Sequence, residues 1–348
     1  MIAHHLCNHF YFEILTDYYK RLPKIKKKWY NTKNKFYVRA MNMRLIASSS
    51  YLPKKMMSNK EIAERFKINE EFIEKRTGIK QRYFAEDETI EYMATKATLK
   101  LIEKTKINVQ EIGLLIVATT STNKLMPGIS NYIQKELKIK CCICLDILSG
   151  CSGYINAVDI AQMYINSGKV EKAVVVGVDI LSKYTDEKDL GTAIILSDGA
   201  GATLLEASKN NLYYSNIESI VDENDILTCK SEEKIKMEGL SIYKYAVKET
   251  TKNITKLLKQ SGESLENIKY IVPHQSNLKI ITAIANRLGV SIEKMFTNID
   301  RVGNTFCASI PIALEEMQQK GLLNKGDKII LLGYGGGLNT GSILIEIC

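Results

Sequence analysis

The sequence predicts an α/β fold built from two similar halves around buried, mixed sheets. Two observations carry this reading. Strand-length apolar runs alternate with amphipathic helical stretches along most of the chain, and two pairs of strand-like segments recur at one common offset. At 348 residues and 45% hydrophobic content the chain can bury one large core or two ordinary domains, and nothing in its composition points to disorder. Its apolar runs are broken by Gly, Asp or Lys well short of the roughly eighteen uninterrupted apolar residues that a membrane-crossing helix needs. The chain therefore reads as soluble, with no membrane partner.

Residues 1–42 read as a basic extension outside the fold. Residues 1–40 hold nine Lys or Arg against Glu13 and Asp17, a surplus of seven within a formal charge of +9, so the remainder carries only +2. A body so nearly neutral argues against nucleic acid as a partner. The extension mixes aromatics with KIKKK and lacks an apolar core before a small-residue cleavage site, which argues against a secretory signal. Met41 or Met43, just before the strand-like run RLIASSSYLP, is the expected start of the native chain. Eight cysteines without a secretory signal point to a reducing compartment, the cytoplasm. Three of them form CCIC (141–144), which lacks the paired spacing of a zinc site and reads as a buried strand.

The elements follow in order. A helix is expected over TIEYMATKATLKLIEKT (89–105), and strands over IGLLIVATT (112–120), CCICLDIL (141–148), AVVVGVDIL (173–181), AIILSDGAGATLLEA (193–207), IKYIVPHQ (268–275), KIILLGYGGG (328–337) and SILIEIC (342–348). VQEIGLLIVATTS resembles LENIKYIVPHQS, and KAVVVGVDIL resembles DKIILLGYGGGL. Ile112 and Ile268, like Gly177 and Gly333, are separated by 156 positions. A shared offset of this size indicates a duplicated half, at 43–205 and 206–348, and not an array of short repeats. Two such halves should pack about a pseudo-two-fold axis, so that loops after equivalent strands meet at one place.

Four segments carry residues suited to chemistry. Cys151 lies in LSGCSGY, in a Gly-flanked turn between a strand and a helix. There the helix N-terminus should favour thiolate and lower a thiol pKa from its usual value of about 8.5, although a buried cysteine serving as a small hydrophobe is the commoner case. His4, His5 and His9 lie in the extension, so any chemistry that needs imidazole falls to His274, in VPHQSN at the end of a strand. A lone histidine of this kind is also often structural. Asn304, in RVGNTFCASIPIAL, has the ordinary role of a turn or cap residue as its alternative. The glycines of GYGGGLNTG (333–341) leave backbone N–H groups able to face a carbonyl oxygen; a phosphate cradle is the rival, but no Walker lysine follows.

Taken together, GCSGY, PHQSNLKII, GNTFCASIPIAL and the GYGGG loop, with KRTGIKQRYFA, LLIVATTS, LSDGAGATLLEA and MEGLSIYKYAV, resemble the β-ketoacyl-acyl carrier protein synthase III family of the thiolase superfamily, over about Met43 to Cys348. The resemblance implies a thiolase-like fold of two halves, each with a mixed five-stranded sheet, in αβαβα layers. It implies decarboxylative condensation of an acyl-CoA primer with malonyl-acyl carrier protein, initiating fatty acid synthesis. Cys151 would be the acyl acceptor, and His274 with Asn304 would bind the thioester carbonyl of the second substrate as neutral donors. A second oxyanion hole would use the N–H groups of Cys151 and Gly336. Thiolases place a second cysteine as base and hydroxymethylglutaryl-CoA synthases a glutamate; neither suits Asn304, and only Cys307 keeps the thiolase comparison alive.

The resemblance further implies coenzyme A thioester as substrate with no cofactor and no metal, a homodimer, substrate contacts at Phe72, Arg76, Met126 and Asn277, and a carrier-protein surface at Lys244, Lys279 and Arg287. Phe72 and Leu190 stand where the family often has the tryptophan and arginine that sandwich adenine. Leu240 and Asn339-Thr340 also depart from family patterns, and Met126 stands where a partner-subunit aromatic often limits chain length, which suggests a primer longer than acetyl. The alternatives are a paralogous ketosynthase or acyltransferase of specialised lipid or polyketide synthesis, and a non-catalytic homologue that binds acyl carriers.

Overall fold

In the computed structural model, residues 42–122, 124–230 and 233–348 are described. The expected extension at 1–42 lies outside them, apart from Asn42. In chain order the strands are β1 (Asn42–Tyr51), β2 (Lys55–Ser58), β3 (Gln81–Phe84), β4 (Leu114–Ala118), β5 (Ile143–Ile147), β6 (Lys172–Asp179), β7 (Gly199–Ser208), β8 (Tyr213–Ser219), β9 (Leu227–Thr228), β10 (Lys236–Met237), β11 (Ile268–Pro273), β12 (Lys328–Gly335) and β13 (Asn339–Glu346). The longer helices are α1 (Asn59–Phe66), α2 (Glu70–Thr77), α3 (Ile90–Thr105), α4 (Ile129–Glu136), α5 (Gly153–Asn166), α6 (Gly239–Ser261), α7 (Leu278–Leu288) and α8 (Ser309–Gln319). Among the described residues no helix is long and apolar enough to cross a membrane.

Strand alternation dictates the layers. On β6, Val174, Val176 and Val178 enter one core cluster while Ala173 and Val175 enter another; β12 likewise sends Ile329 and Leu331 one way and Ile330 and Leu332 the other. A strand apolar on both faces must be covered on both. The central cover is supplied by α5 and α8, which join the sheets in one core, so that Ile116 of the first half shares a cluster with Leu331 and Ile343 of the second. On the outside, α3 packs on β1, β6 and β7, and α6 packs on β8, β12 and β13. The result is the expected αβαβα sandwich.

Strand order makes the two halves correspond. The first sheet runs β1-β7-β6-β4-β5 and the second, read from its other edge, β8-β13-β12-β11. In each, the two central strands pair antiparallel, and the next neighbour is parallel. The second sheet has four strands instead of five; the fifth place is held by an isolated parallel bridge between Ile271 and Met295. Gly177 faces Gly201 in the first sheet as Gly333 faces Gly341 in the second. These glycines let each half approach the other. A Cβ on Gly177 would stand 2.1 Å from the Cys307 carbonyl oxygen, and one on Gly333 would stand 2.7 Å from Ile155 Cγ1.

Two local expectations are corrected. The run from Ala193 was expected to be strand throughout, but the strand starts only at Gly199. Asp189 caps a single helical turn by accepting from the Gly191 and Thr192 N–H groups, and residues 195–197 bond to Asn304 instead of to a ladder. The CCIC segment is also less buried than expected. β5 is the outer strand of its sheet, so Cys142 and Cys144 are half-buried and Cys141 is exposed.

Candidate active site

The elements above bring three segments of the sequence together. Cys151 sits in a single 3-10 turn, Gly150–Ser152, between β5 and α5. The turn needs Gly150 at φ +55°, and it packs backbone to backbone on the GYGGG loop: a Cβ on Gly335 would lie 2.6 Å from Cys151 Cβ and 3.0 Å from its Sγ. This places the Gly336 N–H and the N–H of Cys151 itself at the sulfur, where both favour the thiolate.

They do not prevail. Burial pushes the Cys151 thiol well above its usual range, and the carboxylate of Asp179 pushes it further. The expectation of a lowered pKa at a helix N-terminus is therefore corrected: Cys151 is 5% exposed, so desolvation outweighs the two amides.

His274 follows β11 and is buried. Its N–H donates to Leu332 O at 2.7 Å, and its Nδ1 lies 2.7 Å from Ser309 Oγ at the start of α8. The rings of Tyr334 and Phe306 stand edge-on to the imidazole at centroid distances of 5.5 and 6.5 Å. In these apolar surroundings burial drives its pKa down to about 3, so the ring is neutral at physiological pH.

Asn304 is buried in a loop that bonds across to the first half: its N–H donates to Ile195 O at 3.1 Å, and its carbonyl accepts from the Ser197 N–H at 2.9 Å. Its Oδ1 accepts from the Phe306 N–H at 3.1 Å, which leaves Nδ2 as the outward donor of the amide.

Cys151 opens onto a cavity of about 390 Å³, whose walls include Thr120, Leu148, Leu181, Leu227, Ile235 and Phe306. A second groove, of about 440 Å³, brings Arg76, Asn277, Lys279 and Leu240 together. Ile195 and Met237 line this groove and also pack against the apolar cluster around Cys151, so they stand between the two spaces. Asn277 caps α7, accepting from the Lys279 N–H at 2.8 Å, and its Nδ2 donates to Arg76 O at 3.3 Å.

The remaining sequence-selected residues are dispersed. Phe72 is exposed, with the Arg76 guanidinium 5.7 Å from its ring centroid, so that surface is occupied from within the chain. Lys244 and Arg287 are exposed on α6 and α7 and line neither space. Met126 is 83% exposed and absent from the wall of the Cys151 cavity.

Sequence reasoning missed three residues. Ser309 holds the imidazole, and its only signal was its place at the start of a helix shortly after Asn304. Phe306 touches the surroundings of all three central residues. Asp179, at the end of β6, is fully buried: its Oδ1 accepts from the Thr120 N–H (2.7 Å), the hydroxyl of Thr120 (2.8 Å), that of Ser121 (3.0 Å) and that of Thr119 (3.2 Å), and its Oδ2 accepts from the Cys307 N–H (3.0 Å). Cys307, the one residue that invites comparison with thiolases, is wholly buried and its thiol donates to Gly150 O at 3.1 Å, which suits a packing role behind the Cys151 turn.

Two family descriptions match the chain: 3-oxoacyl-[acyl-carrier-protein] synthase III over residues 145–221, and the C-terminal region of the same synthase over 258–347. A β-ketoacyl-[acyl-carrier-protein] synthase III of Clostridium acetobutylicum is 36% identical over 320 residues, covering 88% of this chain and 98% of its own. The chain belongs to the β-ketoacyl-[acyl-carrier-protein] synthase III family. The family member of Aquifex aeolicus is 35% identical, with 88% of this chain and all of its own covered. Its crystal structure superposes with a TM-score of 0.85 over 87% of this chain and 99% of that one. A priming β-ketosynthase of the R1128 polyketide pathway is 27% identical, with a TM-score of 0.83 over 89% of this chain and 97% of its own. This chain is thus a condensing acyltransferase of fatty acid biosynthesis with a thiolase-like fold.

Proposed function

We propose that the synthase works through an acyl-Cys151 intermediate, with His274 and Asn304 as the donors that stabilise the enolate left when a malonyl thioester loses carbon dioxide. The observation that carries this reading is the neutral, buried imidazole. A ring with a pKa near 3 cannot supply a full positive charge, but its N–H can polarise a carbonyl without taking a proton, which is what decarboxylation requires. Ser309 at Nδ1 serves this arrangement: if its hydroxyl donates there, the ring proton is left on Nε2.

Acylation needs the thiolate, which the resting site disfavours. The Gly336 and Cys151 N–H groups that face the sulfur are placed to receive the oxyanion once a thioester carbonyl enters, so their contribution grows along the reaction. The apolar walls of the cavity suit the acyl tail, and its volume supports a primer longer than acetyl. The second groove suits the thioester arm of coenzyme A or of the acyl carrier protein, with Arg76, Asn277 and Lys279 contributing polar contacts, while Lys244 and Arg287, exposed outside it, are further cations for an acidic carrier.

We further propose a cytoplasmic homodimer in which Met126 reaches the partner's acyl cavity. Support comes from Leu125 and Met126, which are 97% and 83% exposed, and from Leu148, which lines the cavity yet is 70% exposed. Light scattering that returned the mass of a single chain would dismiss this part. Phe72 and Leu190, together with the likeness to a polyketide priming synthase, favour a specialised primer as the second reading.

The test is intact-protein mass spectrometry after brief incubation with a panel of acyl-CoA species and acyl carrier protein thioesters. Wild type should gain the mass of one acyl group and Cys151→Ala none. Absence of acylation from every donor would favour the non-catalytic reading.

A further inference from the structure

Phe306 stands at a junction that the reaction scheme leaves unused. It is not a glycine, yet its φ is +44°, in the left-handed region that side chains rarely enter. The conformation turns its ring inward, where it is 7% exposed and packs in the same cluster as Cys151, Leu181, Leu196 and Ile235. Its backbone N–H orients the Asn304 amide, its ring stands edge-on to His274, and it forms part of the wall of the Cys151 cavity. That wall includes neither His274 nor Asn304.

We propose that Phe306 is a specificity-determining residue of the condensation: its ring lines the acyl cavity beside His274 and Asn304 and keeps water from that pair while leaving the enolate open to acyl-Cys151. This rests on the roles given above to Cys151, His274 and Asn304. The chemistry explains why such a dry wall matters. When the malonyl thioester loses carbon dioxide, the electron pair of the broken C–C bond forms an enolate. That enolate can attack the carbonyl of acyl-Cys151, forming a new C–C bond and expelling the Cys151 thiolate. It can instead take a proton from water, which yields an acetyl thioester and leaves acyl-Cys151 unspent. Water in the cavity can also attack acyl-Cys151 directly, breaking the C–S bond to give a free acid and the thiol. A dry wall beside the enolate favours the first course over the other two. A non-glycine residue in a glycine-favouring conformation, with its ring held at this one point, is what such a wall requires.

The experiment compares wild type with Phe306→Gly and Phe306→Leu. Glycine suits the left-handed backbone and removes the ring; leucine keeps apolar bulk and supports the test should the glycine variant fold poorly. Three quantities are measured on each: loading of Cys151 by an acyl donor, carbon dioxide released per β-ketoacyl product, and the titration midpoint of His274 by NMR. Wild type should release about one carbon dioxide per product. Phe306→Gly should still load Cys151 but release at least threefold more carbon dioxide per product, and its His274 midpoint should rise by at least one pH unit toward 6.5, the ordinary value. Phe306→Leu should fall between. One-to-one coupling with an unmoved His274 midpoint in Phe306→Gly would overturn the proposal. If wild type itself takes no acyl group on Cys151, the reading of Cys151 fails instead, and the His274 midpoint alone then decides whether the Phe306 ring keeps that site dry.

Discussion

Replacing Gly177 by alanine tests how the two halves are joined. The added Cβ would stand 2.1 Å from the Cys307 carbonyl oxygen, 2.6 Å from its carbonyl carbon and 3.1 Å from the Ala308 nitrogen. All three are backbone atoms, so no side chain can rotate to make room. Ordinary contact begins near 3.4 Å, and the 306–308 turn must therefore retreat by more than 1 Å. That motion stretches the 3.0 Å hydrogen bond from the Cys307 N–H to Asp179, whose carboxylate is wholly buried. Overpacking costs about 1–3 kcal/mol, and loss of a bond to a charged acceptor adds roughly 1.5–3 kcal/mol, so a destabilisation of about 2.5–6 kcal/mol is expected.

The equivalent change in the other half, Gly333→Ala, meets Ile155 Cγ1 at 2.7 Å, a side-chain atom that can move, and Ser152 Cα only at 3.2 Å. Its cost should be about 1–2 kcal/mol. At roughly 2–4 °C per kcal/mol, Gly177→Ala should lower Tm by about 5–24 °C and Gly333→Ala by less than half as much. The same displacement shifts the loop that carries Asn304, so condensation in Gly177→Ala should fall by on the order of 100-fold even below its Tm. A Gly177→Ala protein within about 1 kcal/mol of wild type, or a more harmful Gly333→Ala, would refute the reasoning.

Ser309→Ala removes the 2.7 Å partner of His274 Nδ1 and should lower kcat by about tenfold while loading of Cys151 is unchanged; an equal loss of loading would mean that Ser309 acts on the fold. Because burial holds His274 neutral down to about pH 3, the folded state binds fewer protons than the unfolded chain below about pH 6.5. Stability from this group is therefore complete above that value and lost as the pH falls, at up to roughly 1.4 kcal/mol per pH unit. Urea unfolding from pH 7 to 4 should show this extra slope in wild type and not in His274→Asn, and parallel slopes would exclude it. Asp179→Asn removes a negative charge that raises the Cys151 thiol, so alkylation of Cys151 by iodoacetamide should shift to lower pH; an unmoved profile would show that burial alone sets the thiol.

Much of the candidate site was legible in the sequence because its residues occupy positions that local rules single out. Cys151 lies in a Gly-flanked turn, His274 follows an apolar strand, and the GYGGG loop combines small residues that admit close backbone approach. The alternation of β6 and β12 and the shared offset of Gly177 and Gly333 likewise exposed the layers and the duplication, since strand period and repeat spacing are properties of the chain itself.

What the sequence by itself determined, then, is the class of fold, its two-part plan and the three residues placed at the meeting of the halves. Only the tertiary structure decided their electrostatic state. The Cys151 thiol is raised and not lowered because burial, to which both halves contribute, outweighs two nearby amides, and His274 is neutral because it is buried. Ser309, Phe306 and Asp179 act through contacts with residues at least 30 positions away or through a turn conformation, and neither is visible in a local pattern. Desolvation is a sum over everything that packs around a group, and that sum exists only once the chain has folded.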